Sequence, residues 1–171
     1  MNLLKEILQE HSRPQMIRIV NYVGANEKRF AELVGIFLNG PYRVTQRAAW
    51  PLSNCVELHP ELVKPHLKKL ISFLGKSGEH DAVKRNILRF LQFVPIPRSL
   101  QGRTTALCFQ FLGDTKEPIA IRVFSMTVLA NLAKENPELK NEIIPMIEDQ
   151  MPYGSAGFVS RGKKILKELK R

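Results

Sequence analysis

Two cysteines in 171 residues, Cys55 and Cys108, are too few for a disulfide framework. They stand 53 residues apart, and no Cys-x-x-Cys or Cys/His cluster accompanies them. That spacing points to buried, reduced thiols rather than a disulfide or a metal site. No apolar run is long enough to span a membrane. The opening stretch carries Lys5 and Glu6 inside an amphipathic pattern, which is not that of a signal peptide, so a cytoplasmic protein is expected. Alternating strand patterns and hairpin turns are lacking, and with them the case for a β-sheet. Acidic residues are short as well: 16 Asp and Glu stand against 26 Lys and Arg, a net charge of +10.

The positive excess is uneven. Residues 1–60 carry 7 basic against 5 acidic side chains, and residues 61–110 carry 9 against 3. Residues 111–150 reverse the sign with 4 against 7, and residues 151–171 carry 6 against 1. Such a chain favours anionic partners, namely nucleic acid, an acidic protein surface or a membrane face.

What is present is a repeat. Val44, Val83, Ile121 and Val159 each open a helical apolar stripe, at spacings of 39, 38 and 38 residues. Between them Phe37-Leu38, Phe73-Leu74 and Phe111-Leu112 close helices just before Gly or Asn-Gly. Periods in this range mark solenoids built from helix pairs. The chain reads as one domain over residues 1–171. A first helix spans 2–10. Helix pairs follow at 14–24 with 27–39, 41–58 with 60–75, 79–94 with 97–112, and 116–135 with 137–150. A capping helix spans 155–170.

Physical signals place these boundaries. Asn136 before Pro137 is expected to cap a helix, and Pro60 repeats the design with a poorer cap. Gly40-Pro41 and Gly113-Asp114 separate helices, and the glycines are expected at helix ends. Pro95 and Pro97 forbid a continuous helix, while Pro51 should kink one without breaking it. At 100° per residue, Val44, Ala48, Leu52 and Cys55 share a face. So do Val83, Ile87, Leu91 and Val94, and again Ile121, Ser125, Leu129 and Leu132. Val63, Leu67, Leu70, Ile71 and Leu74 form the buried stripe of a second helix, with Lys64, Lys68, Ser72 and Lys76 opposite.

The stretch YRVTQRAAWPLSNCVELHPELVKPHLKKLISFL resembles a HEAT repeat. That family's pattern has Val-Arg-x-x-Ala early in the first helix, a Pro near the turn and a Leu-x-x-Leu stripe in the second. Val44 to Ala48 follows it with the Arg displaced, and Val83-Lys84 and Ile121-Arg122 match its start. Pro65-His66-Leu67 resembles the start of the second helix. The resemblance covers residues 12–170. It implies an all-α, right-handed α-α superhelix of the HEAT/armadillo-like kind, with about four helix pairs plus the cap. Second helices would line the concave face, and the usual role is a scaffold or recognition surface.

Catalytic signatures are missing. His11, His59, His66 and His80 are scattered, and no HExxH, GxSxG, Walker or dinucleotide loop occurs. No enzyme, cofactor, metal or small-molecule substrate is expected. Three constellations remain. Arg43, Arg47, Trp50 and Asn54 fall within about 60° on one helix. They could bind phosphate-bearing bases or form a protein hot spot, or Trp50 could pack on the preceding pair beneath the Arg stems. Repeat register puts Arg89 at the Trp50 position, so no aromatic code recurs. Lys64, Lys68 and Lys69, followed by Arg98 and Arg103, would make a basic concave patch or a solvated face. Glu142, Glu148 and Asp149 interrupt that patch one repeat later. The tail RGKKILKELKR reads as a capping helix or as a basic surface helix. The expected partner is a protein. The alternative is a nucleic acid, through an architecture shared with alkylpurine DNA glycosylases.

Overall fold

The computed structural model describes residues 1–76 and 81–171. The start of the helix expected at 79 and the histidine at position 80 lie outside them. The chain divides into two compact units, Met1–Val94 and Pro95–Arg171. The division falls where the two prolines forbid helix. Among the described residues there is no strand, and no helix is long and apolar enough to cross a membrane.

The first unit holds α1 (Leu3–Gln9), α2 (Arg13–Val23), α3 (Glu27–Asn39), α4 (Tyr42–Leu58), a 3₁₀ helix (Pro60–His66), α5 (Leu67–Leu74) and α6 (Asp81–Leu91). Side chains satisfy the free N–H groups at the first three starts. Asn2, Ser12 and Asn26 accept hydrogen bonds from the N–H groups of Lys5, Gln15 and Arg29 at 3.0, 3.3 and 3.0 Å. Gly24 ends α2 at φ +50°, in the left-handed region where a side chain is strained. The central element is α4, which packs on α1, α2, α3 and α6. Val44, Ala48, Leu52 and Cys55 are buried on it, and the helix runs on through buried Pro51. Against this core lie Phe30, Leu33 and Phe37 of α3 and Ile87, Leu88 and Phe90 of α6, all buried. Each such side chain contributes about 1.5–3 kcal/mol relative to exposure.

The second unit holds α7 (Arg98–Gly113), α8 (Ile119–Leu132), short 3₁₀ turns at Pro137–Leu139 and Met151–Tyr153, α9 (Lys140–Gln150) and α10 (Ala156–Leu169). Here α8 is central. It packs on α7, α9 and α10, and Ile121, Ser125, Leu129 and Leu132 are buried as expected. Arg122, at the basic position of the repeat pattern, is buried too. It lies 4.8 Å over the Phe158 ring and donates to the Gln150 side-chain oxygen.

Several boundaries differ from the sequence reading. The segment expected to be α-helical from 60 begins as 3₁₀ and turns α only at Leu67. Pro60 and Pro65 donate no hydrogen bond, so a full α ladder cannot form across them. The helix expected from 116 begins at Ile119, with Pro118 at its N-cap, because a proline disfavours the α region at the residue before it. The helix expected to reach 94 ends at Leu91, although Val94 is still buried. Asn136 stands at the N-cap position before Pro137, as expected, but its side chain makes no capping bond. Its amide instead donates to the Leu132 carbonyl and the Gln101 side-chain oxygen, each at 3.0 Å. Nor are all glycines at helix ends: Gly35, Gly102 and Gly162 sit inside α3, α7 and α10.

Candidate partner-binding surfaces

The lysine cluster is laid out by the mixed helix after α4. Lys64 lies on the 3₁₀ turn, and Lys68 and Lys69 lie in the first turn of α5. All three are exposed, while Val63, Leu67, Leu70, Ile71 and Leu74 are buried on the other side. None of the three has an ion-pair partner among the described residues. Lys76, also exposed, stacks 4.2 Å over the Phe73 ring. His66 sits within the cluster, 5.6 Å from the Phe30 ring. Burial lowers its pKa from the ordinary value, and the neighbouring Lys69 charge adds to that.

In the second unit, Arg98 and Arg103 are exposed on α7. Five residues apart, they point about 140° from one another and do not form one stripe. Glu142, Glu148 and Asp149 are exposed on α9. Glu148 accepts a 2.5 Å bond from Lys170.

The Arg43/Arg47/Trp50/Asn54 stripe splits. Arg43 is exposed, and Arg47 turns back to donate a 2.7 Å bond to the Leu8 carbonyl in the last turn of α1. That carbonyl is among those a helix end leaves unsatisfied. Trp50 is half-buried, edge-on to the His11 ring at 5.6 Å, and Asn54 donates to the Trp50 carbonyl at 3.0 Å. The stripe is therefore largely packing against the preceding helices. The sequence reading missed Arg85 beside Trp50. Arg85 and Arg89 of α6 line a groove with Gln46, Trp50 and His11. The signal was available, because one repeat of 39 residues carries Gln46 to Arg85 and Trp50 to Arg89.

The tail behaves as a cap. Phe158, Gly162, Ile165 and Leu169 are buried where α10 meets α8 and α9, and Lys163, Lys164 and Lys167 face outward. Both thiols are buried and free, and burial pushes each up to about 12. Among the described residues no group of His, Cys, Asp and Glu could hold a metal ion.

An all-α chain of stacked amphipathic pairs, recurring at 38 or 39 residues, belongs to the helical-repeat solenoids. The HEAT repeat domain family matches residues 3–169, and the chain belongs to it. A crystal structure of an engineered protein from a structural-genomics consortium shares the fold. Its TM-score is 0.62 at 14% identity, over 98% of this chain and 78% of that one. No curated protein matches significantly.

Proposed function

We propose that this chain is a non-enzymatic scaffold that binds an acidic protein partner through the second helices of its repeats. HEAT repeats generally mediate protein interactions. The observation that carries the reading is the cluster of Lys64, Lys68 and Lys69. They are exposed and unpaired among the described residues, on an element whose other side is wholly apolar and buried. Like charges at helical spacing repel by a few tenths of a kcal/mol. An acidic surface would relieve that repulsion and gain steering. Arg98 and Arg103 offer the second unit's cations to the same kind of partner, and Arg43 is a further exposed cation on α4.

The test begins with crosslinking from nuclease-treated lysate to identify an acidic partner, followed by binding measured with the purified pair. At an ionic strength of about 0.15 M, where surface charges are screened, the triple variant K64E/K68E/K69E should keep the wild-type helical circular dichroism and nearly the same Tm. It should lose the partner. Undiminished binding by the triple variant removes the patch from the mechanism.

A further inference from the structure

We propose that the groove between α4 and α6 is a binding site for single-stranded nucleic acid. A phosphodiester would be held by Arg85 and Arg89, with its base against Trp50. The groove encloses about 240 Å³, and among the described residues its lining holds no carboxylate. Arg85 and Arg89 stand four residues apart on α6 and so share a face. Arg85 is exposed and Arg89 half-buried, and neither side chain has an ion-pair or hydrogen-bond partner among the described residues. Their neighbour Asn86 is already committed, its amide donating 2.6 Å to the Ala82 carbonyl. The two guanidiniums are thus the uncommitted donors of this wall, and their planar forks match phosphate oxygens.

The opposite wall supplies the second half of the recognition. Trp50 and His11 present ring surface, and Gln46 an exposed amide. A basic groove joined to an aromatic side chain is the combination that holds single strands without sequence preference. Two carboxylates stand near: Asp81, one turn before Arg85 on α6, which pairs with Lys84 at 3.6 Å, and Glu10. Glu10 lines the adjoining crevice behind His11 and Trp50, and neither carboxylate lines the groove itself. A phosphoserine peptide could use the two arginines but brings no ring of its own to the indole, so the lining favours a nucleotide step over it. This site is separate from the lysine cluster and does not depend on it.

The chain carries a single tryptophan, so fluorescence excited selectively at the indole reports on the surroundings of Trp50. An oligothymidylate of about eight nucleotides, within the span of a single-strand site, should quench Trp50 in a saturable titration at low salt. The double variant R85Q/R89Q should weaken that binding at least tenfold. Its slope of log K against log salt should fall in magnitude by about 1.4, the share of two phosphate contacts. The neutral triple K64Q/K68Q/K69Q should retain the quench. Should the glutamine pair fail to fold, R85K/R89K keeps the charge without the planar fork and should still bind more weakly. Four results would overturn the proposal. They are no change in fluorescence or anisotropy at low salt, equal affinity in the arginine variants, dependence on the lysine cluster instead, and tighter binding of a phosphoserine peptide than of the oligonucleotide.

Discussion

Two side chains show what a residue's surroundings decide. Arg122 is buried without an acidic partner among the described residues. A neutral amide, the Phe158 face and its own packed stem hold it. Local pattern placed an arginine there, but whether it would pair, stack or point outward depended on Gln150 and Phe158, 28 and 36 residues later. His66 is the opposite case, a titrating group whose environment has a measurable consequence. Its native pKa lies below the ordinary 6.5, from burial first and the Lys69 charge second. The unfolded chain therefore takes up the proton more readily than the native one. Above that ordinary value the group leaves stability unchanged with pH, and stability is lost as pH falls through and below it. The wild type should lose stability on acidification more steeply than His66→Gln across that window, measured by urea midpoints at a series of pH values. Parallel curves for the two proteins would remove His66 as a source of acid sensitivity.

At the scale of the element, helix type and facing were legible because a 3.6-residue period leaves its stripe in the sequence. Val44 to Cys55 and Ile121 to Leu132 fell inward as the angles required. What was not legible were features settled by a second element. Asn136 gives its amide to the end of α8 and to Gln101. Arg47 reaches Leu8, 39 residues back. The 3₁₀ start before α5 was foreshadowed by Pro65, but stripe angles do not register a change of ladder. Close approach separates Gly35, inside α3, from Gly40, the residue that caps its end, in the same way. A Cβ on Gly40 would stand 2.7 Å from the Ile36 carbonyl oxygen and 2.6 Å from Val44 Cγ1, so the α3–α4 turn must shift to admit one. A Cβ on Gly35 would meet nothing within 4 Å. Gly40→Ala should therefore cost about 1–3 kcal/mol by overpacking. Gly35→Ala should gain up to about 1 kcal/mol from helix propensity. Denaturant midpoints of the two variants should move in opposite directions. Movement of both the same way would show that propensity or packing alone governs α3.

For the whole molecule the governing quantity is the +10 excess. Among the described residues the pairs Arg18–Glu6 at 3.6 Å, Lys134–Glu168 at 3.3 Å and Lys170–Glu148 at 2.5 Å each keep at least one partner exposed. Each is worth about 0–1 kcal/mol. Against them stands self-repulsion in the native state, concentrated where Lys64, Lys68 and Lys69 crowd one surface. Unfolding spreads those charges apart, so repulsion destabilises the compact state. Salt weakens both effects, since the screening length falls from about 30 Å at 0.01 M to about 8 Å at 0.15 M. The few exposed pairs lose little, while the many like-charge interactions over longer distances are relieved, so relief should win. If screening returns about 1 kcal/mol, Tm should rise by roughly 2–4 °C across that range of sodium chloride. The salt must be a chloride, because an anion held specifically by the native protein would raise Tm by mass action as well. The variant K64Q/K68Q/K69Q should melt higher than the wild type at 0.01 M and gain less from added salt. A wild-type Tm that falls with salt would mean that the ion pairs outweigh the excess charge.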